Sequence, residues 1–213
     1  MSSAEAAGAT LSRLDDSTRA LVQLAAVLAA GADDQVRSAL QRASSTAPHE
    51  WIEELLLQTY LFAGFPRTLN GMREWRRVVA KPVAEHGERL DARQLEKLGE
   101  RTCAQVYGKM YEQLRRNIRA LHPLLDEWMI VEGYGKVLGR PGLDLPRREL
   151  CIVAACAATA QDRQLQSHLH GARNAGVAEP VVTNALGALR DAIPEPLLSR
   201  AFRLWDRIRN DVH

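Results

Sequence analysis

One histidine, on an amphipathic helix, is the side chain best suited to proton transfer in this sequence. A helix over 162 to 175 places His168 in one stripe with Gln161 and Gln164, because residues three and four apart share a helical face. His170 is turned away by about 200°. An imidazole titrates near neutral pH, so His168 is a candidate general acid or base. The spacing fits equally a buried histidine that is hydrogen-bonded to its neighbours.

A glycine-rich stretch from 133 to 146 precedes this helix and brings polar side chains towards it. It has four glycines and two prolines in fourteen residues, which predicts a loop. Tyr134 and Arg140 lie in it, and it leads directly into Arg147 and Arg148. The stretch lacks both glycine-rich phosphate-binding patterns, GxGxxG and GxxxxGK[ST], so the sequence argues against nucleotide binding.

The sequence around His168 occurs twice in the chain. With a shift of 129, residues 19 to 50 align without a gap to residues 148 to 179, and eleven of the 32 positions are identical. We interpret this as a tandem duplication. Ala39 stands at the position of His168, so chemistry that needs the imidazole belongs to the second copy alone.

Composition indicates an ordinary globular protein. The chain has 213 residues, 46% hydrophobic and 25% charged, enough for one large domain or two small ones. Its net charge of +2 and interspersed acidic residues favour solvated helix faces over a nucleic-acid surface. Its alanine-rich runs are shorter than the roughly 20 residues of a membrane span, and no secretory signal is present. We therefore expect a cytoplasmic protein with a disordered tail over residues 1 to 12.

The cysteine content fits a reducing compartment. Cys103, Cys151 and Cys156 are three thiols with no CxxC pair among them. Cys151 and Cys156 are five apart, about 140° around a helix, so they do not converge. Small buried thiols are the expectation.

Hydrophobic periodicity predicts an all-α protein. Apolar residues recur at helical spacing, and no run alternates at period two for long enough to predict a sheet. The predicted helices are 17–30, 50–63, 98–121, 148–160, 162–175, 179–190 and 197–210.

The stretch GLDLPRRELCIVAACAATAQDRQLQSHLHGARNAGV, residues 142 to 177, resembles the core motif of the carboxymuconolactone decarboxylase and AhpD-like family. The likeness covers residues 99 to 190, and residues 14 to 80 more weakly. It implies an all-helical fold built on a helical hairpin, here as two tandem repeats. It also implies a homo-oligomer, expected as a dimer or trimer, with sites at contacts between domains.

The peroxidase branch of this family carries a CxxC at the start of the histidine-bearing helix and a glutamate nineteen residues before the histidine. Glu149 keeps the glutamate position, but the two cysteine positions fall on Gln161 and Gln164. An amide cannot form the attacking thiolate. Alkylhydroperoxidase chemistry is therefore disfavoured unless Cys151 or Cys156 substitutes.

The decarboxylase branch lacks the cysteine pair and keeps the histidine. The resemblance then implies a lyase without metal or organic cofactor, acting on a small carboxylated lactone or keto acid. His168 is its expected general acid or base, and Glu149 orients it or shares the proton transfer. Salt bridges with Glu132 or Glu149 are the alternative role for the arginines. The expected substrate-binding residues are Arg140, Arg147, Arg148, Tyr134, Gln164, Phe65 and Tyr60.

One sequence element of the family is present in the first copy and absent from the second. The aromatic segment LLLQTYLFAGFPRTLNG occurs at 55–71 in the first copy, and its equivalent at 185–200 lacks it. This predicts a composite site in which Tyr60, Phe62 and Phe65 face His168. Core packing of these aromatics is the alternative.

The expected organisation has three parts after the tail: a degenerate repeat over 13–80, a linker over 81–97 and a domain with the intact histidine motif over 98–213. A duplicated chain with one eroded site is also what a non-catalytic ligand-binding or scaffold protein would show.

Overall fold

The computed structural model describes residues 11–80 and 90–210, and these ranges are helical, as the sequence predicts. Their extended pairing is limited to an isolated bridge between Leu11 and Val177. The predicted tail and linker fall mostly on residues 1–10 and 81–89, which lie outside the described residues. Leu11 nevertheless accepts a backbone hydrogen bond from Ala178 and donates one to Gly176.

The helices are α1 (Asp16–Ala30), α2 (Asp33–Ser44), α3 (His49–Val78), α4 (Ala92–Tyr107), α5 (Tyr111–Leu121), α6 (Pro123–Trp128), α7 (Leu145–Ala158), α8 (Asp162–Asn174), α9 (Glu179–Gly187) and α10 (Glu195–Asn210), with a 3-10 turn (Gly108–Met110) and a π-helix (Met129–Leu138) between them.

The prediction of a loop over 133–146 was wrong for its first part, because the π-helix runs to Leu138. Its glycines permit close packing. A Cβ on Gly135 would lie 2.2 Å from the carbonyl oxygen of Leu95, and one on Gly99 of α4 would lie 2.0 Å from a π-helix carbonyl. The glycines here allow two helix backbones to come into contact. From the sequence of one segment alone, glycines with this role look the same as glycines of a turn.

Two predicted helix boundaries also differ. The single helix over 98–121 is divided at Gly108, whose φ of 51° interrupts α4. Capped by Asp91, α4 begins at Ala92, inside the predicted linker. The helix predicted to end at 63 instead continues to Val78 past a kink at Gly64, where φ is 80°.

Two alanine-rich helices, α1 and α7, pack against each other at the centre. On the outer sides α2 packs on α1, and α8 packs on α7. The starts of α1 and α2, Asp16 and Asp33, lie 129 residues before those of α7 and α8, Leu145 and Asp162. The helix α4 packs on α8 and on the π-helix, so it covers the second hairpin.

Candidate functional site

Glu149 and His168 meet between α7 and α8. The Nδ1 atom of His168 lies 2.8 Å from Oε2 of Glu149. Glu149 is completely buried, and His168 is 4% exposed. A carboxylate at Nδ1 favours the tautomer with its proton there, and Nε2 has no hydrogen-bond partner within the described part of the chain. Nε2 is therefore the ring nitrogen that the carboxylate leaves unpaired.

A glycine on α8 makes this contact possible. Gly171 follows His168 by three residues and faces the same side of the helix. A Cβ at Gly171 would lie 2.5 Å from Oε2 of Glu149 and 2.7 Å from Cγ1 of Val106 on α4. The absence of that carbon lets α8 close on both α7 and α4.

Hydroxyls and thiols surround the buried carboxylate. Burial raises the pKa of Cys103 and of Cys156 to about 12, and the negative charge of Glu149 acts in the same direction on both. Burial also raises the pKa of Tyr107 to about 12 and that of Tyr134 well above its ordinary value, again with Glu149 adding to the effect. The Tyr107 and Tyr134 rings meet edge to face at 6.2 Å. Neutral groups thus enclose Glu149.

One oxygen of the carboxylate has no bond. The Oε1 atom of Glu149 is buried and lacks a hydrogen-bond partner among the described residues. Buried polar atoms are normally paired with protein, water or ligand. This atom is consequently an acceptor that no described group of the protein satisfies.

The aromatic segment of α3 reaches the dyad through one residue. The Phe62 ring meets the His168 ring edge to face, with centroids 5.5 Å apart and an interplanar angle of 86°. Tyr60 and Phe65 stack on each other at 4.9 Å, and Phe65 is 63% exposed. The first half of the chain therefore contributes Phe62 directly, and the Tyr60–Phe65 pair lies further out.

Arg148 is buried and paired within the protein. It is 0% exposed and donates to Oε2 of Glu54 at 2.7 Å and to the carbonyl oxygen of Leu143 at 3.0 Å. Arg140 binds the other Glu54 oxygen at 2.9 Å. A carboxylate of the protein thus pairs with the guanidinium that the sequence suggested for a substrate carboxylate.

Arg147 also connects the two halves of the chain. Its guanidinium lies over the Trp51 ring, 4.4 Å from the centroid, and pairs with Asp15 at 3.0 Å. It donates to Thr18 as well, at 2.9 Å. These partners replace Glu132 and Glu149, the ones suggested by the sequence.

Arg140 and Arg147 line a groove of about 980 Å³ beside the segment that follows the π-helix. Thr102 and Gln105 of α4 and Asn174 of α8 are among its other lining residues, which do not include His168 or Glu149. The structure therefore gives these arginines and the dyad different surroundings.

The remaining predicted residues divide between surface and core. Gln164 is exposed on α8, one turn before His168. Tyr134 is buried at 4% exposure, against Tyr107. Sequence reasoning missed Tyr107 and Gly171, and it treated Cys103 only as a thiol. The helical stripe of Gly99, Cys103 and Tyr107, four residues apart, was the signal available.

Within residues 11–80 and 90–210, no group of three or more His, Cys, Asp or Glu side chains could hold a metal ion. Over the same ranges, no helix has the length and apolar character needed to cross a bilayer.

Comparison with known proteins agrees with the geometry. Residues 127–206 match the model of the carboxymuconolactone decarboxylase family, and this segment contains both Glu149 and His168. The chain is also 28% identical over 137 residues to Peroxisomal protein 2 of Schizosaccharomyces pombe. That alignment covers 63% of this chain and 64% of the relative, so the chain spans less than two thirds of the relative's length. Residues 127–206 are therefore similar to the carboxymuconolactone decarboxylase family.

Proposed function

We propose that this protein is a cofactor-independent lyase that decarboxylates a small carboxylated lactone or keto acid, with His168 as its general acid. The observation that carries the proposal is the 2.8 Å contact between Nδ1 of His168 and the buried Glu149. This contact fixes the orientation of the imidazole and leaves Nε2 for proton transfer.

Decarboxylation requires that one proton be delivered to the carbon that loses the carboxylate. When the bond from carbon to the carboxylate breaks, CO₂ leaves and the electron pair remains on the substrate as a carbanion or dienolate. Protonated His168 donates the Nε2 proton to that carbon, and a solvent proton then restores the imidazolium. Glu149 acts as a positioning residue, because its charge stabilises the imidazolium and fixes the ring.

The apolar surroundings favour the same step. Phe62 lies against the imidazole ring and helps to exclude water from it. A low-polarity site disfavours a charged carboxylate relative to neutral CO₂. We place Gln164, Tyr60 and Phe65 at the rim of the site, because they lie one turn from His168 or beside Phe62 along the chain.

The peroxidase alternative has little support. Burial raises the pKa of Cys103, Cys151 and Cys156 to about 12, so thiolates are scarce at neutral pH. A peroxidatic cysteine needs the opposite shift.

Oligomeric state and location are part of the proposal. We propose a homo-oligomer of two or three copies, supported by large apolar side chains at the surface, among them Leu121 at 73% and Trp128 at 54% exposure. Light scattering during size-exclusion chromatography measures this state. The sequence predicts the cytoplasm, whereas the relative's name indicates the peroxisome. Imaging of the tagged full chain distinguishes them.

The test is a turnover screen of small carboxylated lactones and β-keto acids with wild type and His168→Ala. We expect His168→Ala to lose about 100-fold or more of the rate, the usual effect of removing a general acid. The matched control is His170→Ala, which removes an exposed histidine two residues away and should retain the wild-type rate.

Two results would contradict the assignment. Equal turnover by wild type and His168→Ala would remove His168 from the mechanism. Robust peroxide reduction with an external thiol would overturn the choice of branch. If the full panel is not turned over, a non-catalytic binding protein becomes the better description.

A further inference from the structure

A cavity lies between α1 and α2 at the place where the second hairpin holds its dyad. Ala20 and Ala39 stand 129 residues before Glu149 and His168, the same offset that separates the helix starts. The cavity has a volume of about 210 Å³, and both alanines line it. The methyl groups of Ala20 and Ala39 thus stand where the second hairpin has a carboxylate and an imidazole. These smaller side chains leave the cavity unfilled.

The cavity also lacks the cover that the second hairpin has. There, Gly171 admits Val106 of α4 against α8. The equivalent of Gly171, 129 residues earlier, is Arg42, which lines the cavity. An arginine side chain at this position occupies the place where a covering helix would pack, so the cavity stays accessible.

Neither of the two arginines at the cavity forms an ion pair within the described part of the chain. Arg19 and Arg42 both line it, and within the described ranges neither guanidinium has an ion pair or a hydrogen bond. The equivalent of Arg19 in the second hairpin is Arg148, which is fully buried and paired with Glu54. Guanidinium groups bind carboxylates through paired, charge-assisted hydrogen bonds.

The other lining groups narrow the choice of ligand. Leu24, Ala39 and Ala43 supply apolar surface. The side-chain amide of Gln23 donates to the carbonyl oxygen of Ala188 at 2.9 Å, which holds the amide in place. The carboxylate of Asp16 can accept a hydrogen bond from a hydroxyl, and it opposes a second negative charge.

We propose that this cavity binds a small 2-hydroxy monocarboxylate, separately from the His168 site. Arg19 and Arg42 hold the carboxylate, and Asp16 and the Gln23 carbonyl oxygen accept from the hydroxyl. A cavity of about 210 Å³ has room for a small molecule such as lactate.

Calorimetric titration of the full chain with lactate and glycolate tests this directly. We expect saturable binding, weakened several-fold for propionate, which lacks the hydroxyl, and for malate and inorganic phosphate, which carry additional charge. Arg42→Gln and Arg19→Gln should each weaken lactate binding about tenfold or more, the effect of losing a charge-assisted hydrogen bond. Arg93→Gln, an exposed arginine on α4, removes the same charge elsewhere and should bind like wild type.

Two further variants locate the ligand. The double substitution Ala20→Glu with Ala39→His fills the cavity and should abolish binding, whereas His168→Ala should bind lactate like wild type. Amide resonances of Gln23 and Ala39 should shift on titration. The proposal is overturned by lack of saturable binding at millimolar lactate, by unchanged binding in both arginine variants, or by loss of binding in His168→Ala. None of these results depends on whether the chain decarboxylates anything.

Discussion

At the scale of single residues, the site depends on a carboxylate that water does not reach. Glu149 is fully buried, and its compensation is the imidazole at 2.8 Å. Burying a charge without a partner costs several kcal/mol, so the pair is interdependent. Nineteen residues of sequence separation become one hydrogen bond because the α7–α8 turn brings the two helices side by side.

Glu149→Gln tests the role of that charge. The amide keeps the shape and can still accept from Nδ1, but it stabilises an imidazolium far less. We expect turnover to fall about 100-fold, with little change in melting temperature. Glu132→Gln, an exposed carboxylate on the π-helix, should leave both quantities unchanged. An active Glu149→Gln would show that His168 needs no anionic partner.

The three buried thiols predict a specific pH dependence. Their pKa is about 12 in the folded protein and near 9 when exposed. The unfolded chain therefore loses protons first, and stability that is complete below pH 9 is lost as the pH rises towards 12. The urea midpoint should decline over that interval.

A thiol reagent gives an independent measurement of the same property. At pH 8 the folded protein should react with 5,5′-dithiobis(2-nitrobenzoic acid) only at the rate of unfolding, and all three thiols should react in urea. Rapid modification of the native protein would contradict the assigned burial of Cys103, Cys151 and Cys156.

At the scale of helices, close packing at glycine decides which elements meet. Sequence periodicity predicted α7 and α8 within a few residues, since each buries a face that repeats locally. It failed for the π-helix, where glycines serve a contact with α4. Local patterns contain no information about a partner 36 residues away, such as Gly99 for Gly135.

Gly171→Ala tests this packing at the site. The added carbon would contact Oε2 of Glu149 and force α8 outwards, so we expect a loss of about 1–3 kcal/mol in unfolding free energy and a severe loss of turnover. Gly187→Ala is the control, because a carbon there meets nothing within 4 Å. Alanine should leave stability unchanged or raise it by up to about 1 kcal/mol. Equal effects of the two changes would refute the packing argument.

At the scale of the whole molecule, ion pairs join the halves. Arg148 of α7 binds Glu54 of α3, and Arg147 binds Asp15 before α1. Neither partner was predicted, because the arginines and their acids lie 94 and 132 residues apart. The halves therefore share one interior, and we expect them to unfold together.

Glu54→Gln should destabilise the whole chain. It leaves the guanidinium of Arg148 buried without an anion, at a cost of about 3–5 kcal/mol. Asp206→Asn breaks an exposed pair with Arg209 and should cost less than about 0.5 kcal/mol. Urea unfolding followed by circular dichroism measures both as single transitions. A biphasic Glu54→Gln curve would mean that the halves are independent.

The sequence by itself determined the helical class, the α7–α8 hairpin and the two residues of the dyad, because local periodicity and a family motif carry that information. Only the tertiary structure decided what surrounds them. Tyr107 and Cys103 of α4 come close to Glu149, and the arginines expected at the substrate are bound to acids of the first half. Such contacts form when segments that are distant in sequence pack together in the interior. A pattern read along one segment does not show which distant segment will pack against it.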